Sequence, residues 1–154
     1  MKARTVLLTL TLCLVGMAVA FADDANMGTW KLNEAKSTFH AGATKNSTVV
    51  YEAAGDSVKV TVDGTDKDGK AVHSEWTGKF DGKDYPVTGD PNTNSRSYKK
   101  TDVRRLELTG KKDGKVVMTG RIAVSADGKT RTVKTSATDS TGKKLKSTAV
   151  YDKQ

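Results

Sequence analysis

The chain holds a single cysteine, Cys13, and it sits inside an N-terminal apolar run. Residues 23–154 therefore carry no thiol, which excludes disulfide scaffolding, thiolate nucleophiles and cysteine-based metal sites together. Histidine is almost as scarce, at His40 and His73, and there are two prolines in all. Large apolar residues are thin as well. Residues 23–154 contain 4 Leu, 1 Ile, 13 Val and 2 Phe, or 20 of 132 positions, below the roughly 20 % under which charged chains tend to stay unfolded. Those few residues alternate with polar ones, and Val, Thr, Tyr and Trp are the types that suit a pleated surface. The composition is that of a lightly cored β protein.

The one long apolar run lies at the start. Lys2 and Arg4 precede the apolar stretch Val6 to Val15, and Ala20-Phe21-Ala22 forms a small-residue exit before Asp23-Asp24. This is the pattern of a secretory signal, too short to anchor the chain across a bilayer. It predicts cleavage after Ala22, export to a periplasmic or extracellular space, and one domain over residues 23–154. The exported part carries 24 Lys and Arg against 18 Asp and Glu, a net charge of +6. Such a balance draws a protein loosely toward anionic surfaces and does not single out nucleic acid.

From Ser47 onward the hydrophobic period is two. Val49, Tyr51 and Ala53 share one face, Gly55 turns the chain, and Val58, Val60 and Val62 continue the alternation. In the next strand Val72, Ser74, Trp76, Gly78 and Phe80 lie on one face, with His73, Glu75, Thr77 and Lys79 on the other. Gly78 among large neighbours predicts a bend or bulge. Pro86 confines Tyr85-Pro86-Val87 to a sheet edge or end, and Gly89 to Asn94 reads as the most mobile loop. Asp113-Gly114 is a hairpin signal. Val116, Met118, Gly120, Ile122 and Val124 form the cleanest alternating face, and the turn glycines 114, 128 and 142 space similar strands. Eight to ten short strands with antiparallel turns predict an all-β fold, an up-and-down meander closed into a barrel, with a two-sheet sandwich as the other solution. Residues 33–45 read as a turn or two of helix or a lid.

Gly28-x-Trp30, at the head of this β region, resembles the opening strand of a lipocalin-like barrel, exported bacterial type. Thr148-Ala149-Val150-Tyr151-Asp152-Lys153 is similar to the closing strand of the intracellular fatty-acid-binding proteins, relatives in the same superfamily. The resemblance implies that Gly28 and Trp30 are structural, with the indole lying across the closed end. In exported lipocalins a basic side chain from a late strand packs over that indole, a role that would fall here to Arg131. The fatty-acid-binding proteins clamp a lipid carboxylate with Arg-x-Tyr on the closing strand. The matching triplet here is Ala149-Val150-Tyr151, which keeps the tyrosine without the arginine, and the helical lid of those proteins is absent.

Parity supplies the remaining candidates. If the apolar face is inward, Arg104 lies with Leu106 and Leu108, and Arg131 with Val133, Thr135 and Ala137. An inward guanidinium is costly unless it meets a carboxylate from the protein or from a ligand. Tyr151 adds a hydroxyl on the same side, and Trp76 with Phe80 lines either the core or a ligand mouth. The candidate ligand-binding set is Trp76, Arg104, Arg131 and Tyr151.

Catalytic signatures are missing. No nucleophile elbow, phosphate loop or His-rich metal helix is found. His73 and Glu75 share an outward face without a third partner. Asp66-Lys67-Asp68-Gly69 is similar to part of a calcium loop, but Gly64 stands where the first Asp belongs, so an acidic hairpin loop is expected. The sequence predicts no catalysis, no metal and no cofactor. It predicts an exported barrel that binds a small amphipathic or anionic molecule. The rival reading is a filled barrel whose basic exterior, with Lys99-Lys100, Lys111-Lys112 and Lys143-Lys144, associates with anionic envelope material.

Overall fold

The computed structural model describes residues 24–154; the signal expected at residues 1–22 lies outside the described residues. Ten strands follow in order: β1 Gly28–Leu32, β2 Lys45–Ala54, β3 Ser57–Thr65, β4 Ala71–Gly78, β5 Tyr85–Thr88, β6 Ser95–Asp102, β7 Arg105–Lys112, β8 Lys115–Val124, β9 Thr130–Thr138 and β10 Lys144–Lys153. Each pairs antiparallel with its sequence neighbours, and β1 pairs with β10 to close the barrel. That last pairing, Trp30 opposite Lys153 and Leu32 opposite Tyr151, makes the sheet a barrel and rules out the sandwich. The only helical element among the described residues is a 3-10 turn, Glu34–Lys36, capped by the Asn33 side chain.

Alternation works as the sequence implies over most of the barrel. Val58, Val60 and Val62 point inward and stand opposite Gly78, Trp76 and Ser74. Three expectations change, each for a physical reason. A register shift between Gly110 and Lys111 leaves Val117 without a partner of its own on β7. The extra residue flips the parity of the start of β8, so Val116 is 54 % exposed and Val117 turns inward. Gly78 makes no bulge, because its pairing with Val58 is in register. A Cβ there would come within 2.5 Å of the Tyr85 ring and 2.7 Å of Trp76, so the glycine makes room for aromatic packing. Of the two places expected for Pro86, the edge falls away, since a closed barrel has none, while the strand end holds, Pro86 being the second residue of β5. It sits on the thinnest seam, where β5 makes two residue pairs with each neighbour, so its missing N–H costs little.

The loop at Gly89 to Asn94, read as mobile, is instead tied down. Asp90 accepts from Arg96 Nη2 at 2.7 Å, from Thr93 Oγ1 at 2.6 Å and from the Asn92 N–H at 2.8 Å. Thr93 is buried.

The barrel has two unlike ends. At one end the chain turns through residues 55–56, 79–84, 103–104 and 125–129, and the segment Asp24 to Met27 covers it. Asn26 is fully buried there, and its carbonyl accepts from Trp30 Nε1 at 2.9 Å. Above this plug the interior is packed by Trp30, Tyr51, Val58, Val60, Trp76, Tyr98, Leu106, Leu108, Ile122 and Val124. At the opposite end, where residues 33–44, 66–70, 89–94, 113–114 and 139–143 turn, the interior is hollow.

Candidate functional site

The hollow follows from side-chain size. The inward residues of β9 shrink toward the open end, from Arg131 through Val133 and Thr135 to Ala137, and β10 contributes Ser147 and Ala149 above Tyr151. Across the barrel, β4 presents Ser74 above Trp76. Bulk runs out halfway up, leaving a cup of about 520 Å³, within the range that holds one small organic molecule. Val62, Val72, Val117, Met118, Val133 and Leu145 give it apolar wall, interleaved with the hydroxyls of Ser74, Thr135 and Ser147, and His40, Asn46, Asn92 and Lys112 also line it.

The segment after β1 roofs part of the cup. Thr38 pairs with Thr148 through two backbone hydrogen bonds of 2.7 Å, and the His40 N–H donates to Ser147 Oγ at 3.1 Å. These bonds set Phe39 and His40 at the mouth. Residues 33–44 thus form a flap fastened to β10.

A charged pair sits on the mouth side, where β6 leaves the 89–94 loop. Arg96 is 8 % exposed, and its guanidinium donates to Asp90 and, at 3.4 Å, to the Tyr98 hydroxyl, while its Nε finds no partner. Arg96, Asp90 and Tyr151 all line the cup. Burial pushes the Tyr151 phenol up to about 12, against the pull of nearby Arg131, so it is a neutral hydrogen-bond donor at ordinary pH. The site offers apolar wall, hydroxyls that include Tyr151, Lys112 in the lining and one guanidinium already engaged by a carboxylate.

Of the four residues the sequence nominated, Tyr151 alone lines the cup. Trp76 is 1 % exposed in the filled half, where its indole donates to the Arg96 carbonyl at 2.9 Å and its ring lies 4.8 Å from that of Tyr98. Arg104 does not point inward. It is exposed in the turn between β6 and β7, because the inward alternation of β7 begins only at Leu106. Arg131 does point inward, 3 % exposed, but it lies beneath the cup and does not line it. Its guanidinium stacks 4.6 Å from the Tyr51 ring, 5.6 Å from Tyr151 and 5.9 Å from Trp30, and it donates to the Tyr51 hydroxyl. Three aromatic faces stand in for a carboxylate. Gly28 holds φ at +101°, which favours glycine, and Trp30 is fully buried across the plugged end.

Arg96 and Asp90 were not singled out by the sequence reading. Their signal was available in the alternation of Arg96 with Tyr98, but β6 is otherwise so polar that neither face stands out. The remaining motifs resolve to surface chemistry. His73 Nδ1 lies 2.6 Å from Asp63, a hydrogen bond that raises the imidazole above its usual range, and Glu75 pairs with Lys59 at 2.7 Å. Asp66 accepts from the backbone N–H groups of Asp68 and Lys70, as an acidic hairpin turn does.

No protein-family model matches this chain, and no curated protein matches it. Among solved structures the chain is similar to EF1p2_mFAP2b bound to DFHBI, with a TM-score of 0.50 and 10% sequence identity, covering 84% of this chain and 94% of that one. It is also similar to a redesigned beta barrel, mFAP1, bound to DFHBI, with a TM-score of 0.45 and 16% identity, covering 85% of this chain and 99% of that one. At 10% identity the likeness to the first is one of fold.

Proposed function

We propose that this chain is an exported, lipocalin-like protein that binds a small amphipathic or anionic molecule in the cup and does not turn it over. One observation carries the reading: the barrel is filled below and hollow above, with about 520 Å³ left open under a fastened flap. A chain with too few large apolar residues to fill its barrel leaves space where its inward residues are smallest, and here those positions cluster at one end. Apolar wall interleaved with hydroxyls, with Arg96 and Lys112 also in the lining, suits a ligand with a greasy body and one polar or anionic end. A barrel of similar fold, EF1p2_mFAP2b, holds DFHBI, which supports the idea that this architecture accommodates a guest. The signal-like residues 1–22 support export, and Gly28-x-Trp30 under Arg131 supports the lipocalin-like assignment.

The test is a titration of residues 23–154 with 8-anilinonaphthalene-1-sulfonate, an amphipathic anion whose emission rises in apolar surroundings. The expected result is saturable one-to-one enhancement, lost in Ala149→Phe, which grows a ring into the cup from a wall position that is 7 % exposed. Equal enhancement in a folded Ala149→Phe protein would remove the cup from the account.

A further inference from the structure

The barrel is a pure meander, so halves of the sequence become sides of the molecule. Residues 103–154 carry thirteen Lys and Arg against five Asp and Glu, whereas residues 24–102 carry eleven against twelve. The surplus cations therefore lie on one flank, formed by β7 to β10. Of the lysine pairs conspicuous in the sequence, Lys99-Lys100 and Lys111-Lys112 do not make this flank, and only Lys143-Lys144 contributes to it. Lys100 is paired with Asp24 at 2.6 Å, Lys111 with Asp84 at 2.6 Å, and Lys112 turns into the cup lining.

On the outer face of β8, β9 and β10 the arrangement is different. Arg121 stands directly opposite Lys134, a like-charge neighbour that costs stability, and Lys146 and Lys144 stand opposite Ser136 and Thr138. All four cations are exposed. Among the described residues, no ion pair involves β8, β9 or β10, whereas Lys45, Lys59, Lys67 and Lys79 on the other side each hold a carboxylate within 3.1 Å. The acids nearest the flank form no ion pair with its cations, although one of them stands in register with Arg121. Asp127 and Asp139 bond the backbone of their own turns, Glu107 faces Arg121 from β7, and Asp152 lies toward the plugged end. The positions between the cations are mostly hydroxyls, including Thr119, Thr132, Ser136 and Thr148. At the upper end of β8 the parity flip exposes Val116 beside Lys115.

We infer that the outer face of β8, β9 and β10 is a docking surface for an anionic phospholipid bilayer. Charge complementarity carries the choice of partner. The cations are spread over three adjacent strands with no groove to guide a single polymer chain, and no exposed aromatic is there to stack on a base or sugar. A plane of many phosphates matches cations spread in two dimensions, and exposed Val116 adds an apolar contact that a polysaccharide would not reward. Docking by this flank lays the barrel on its side and leaves the cup mouth free. This inference does not depend on the cup holding a ligand.

The test is co-sedimentation of residues 23–154 with phosphatidylglycerol/phosphatidylcholine vesicles and with pure phosphatidylcholine vesicles. Binding is expected to the anionic vesicles alone and to weaken from low to physiological salt. Replacing Arg121, Lys134 and Lys146 with Glu is expected to weaken it on the order of a hundred-fold. A control with the same change in net charge, Lys67→Glu, Lys70→Glu and Lys83→Glu, is expected to keep most of the binding. Since all six positions are exposed, circular dichroism of each variant will match the parent. Equal loss in both variants would mean that net charge acts without a face, and would overturn the inference. Absence of vesicle binding at low salt, or retention on dextran sulfate alone, would overturn it too.

Discussion

Filling the cup separates stability from binding, and Ala137→Leu does so at a position where the magnitude can be worked out. Ala137 lines the cup and stands opposite Met118 on one side and Leu145 on the other, so a leucine there meets apolar neighbours. It adds three carbons, worth about 2.4 kcal/mol if fully buried at about 0.8 kcal/mol each. The mouth is open and Ala137 only half-buried, which reduces this to roughly half. Freezing the new side chain costs about 0.5 kcal/mol more, near the low end for leucine. The net is a stabilisation of somewhat under 1 kcal/mol, or about 2–3 °C in the melting midpoint for a domain of this size. Urea denaturation and thermal melts measure the gain, and the sulfonate probe titrated against the same sample measures the loss of binding. A leucine that destabilises would mean that the upper barrel is already packed in solution. A leucine that stabilises and leaves binding intact would move the ligand elsewhere.

Two further outcomes test the interior. Asp90→Ala leaves the Arg96 guanidinium, with its side chain 9 % exposed, without its carboxylate; removal of one partner from a buried pair costs about 3–5 kcal/mol, and the urea midpoint will fall accordingly while loop residues 89–94 lose amide-exchange protection. The phenols set an alkaline limit. Tyr151 sits at about 12 in the folded chain, against about 10 when unfolded, so its contribution is complete below about pH 10 and is lost as pH rises toward 12. Burial raises Tyr51 in the same direction. Urea midpoints measured from pH 8 upward should fall steeply across that window, and Tyr151→Phe should make the fall shallower; a fall of equal steepness in the variant would mean that other groups set the limit.

Strand existence and the plugged end were legible in the chain because both rest on short-range rules. Alternation marks a half-buried strand, a glycine after an Asp marks a turn, parity turns Arg131 inward, and the resemblance of Gly28-x-Trp30 to the lipocalins implied that Arg131 packs over the indole. Parity misled wherever an extra residue entered a ladder or a strand began later than expected. Val116 and Val117 exchange faces because β8 carries one residue more than β7 at that point, and Arg104 stays in the turn because β7 begins at Arg105. Neither shift leaves a mark in composition.

The sequence by itself determined that an all-β, cysteine-free chain of alternating Val, Thr and Tyr would make an antiparallel meander with Trp30 and Arg131 inside it. Only the tertiary structure decided where the barrel is hollow, because a cavity is a sum over residues that face one another from many strands, and no single strand reports its depth. It alone decided which cations are neutralised. Lys100 meets Asp24 and Lys111 meets Asp84 across long stretches of chain, while Arg121, Lys134 and Lys146 form no ion pair among the described residues, even though Glu107 stands opposite Arg121. Charge is written residue by residue, but ion pairing depends on distances that exist only after the barrel has closed.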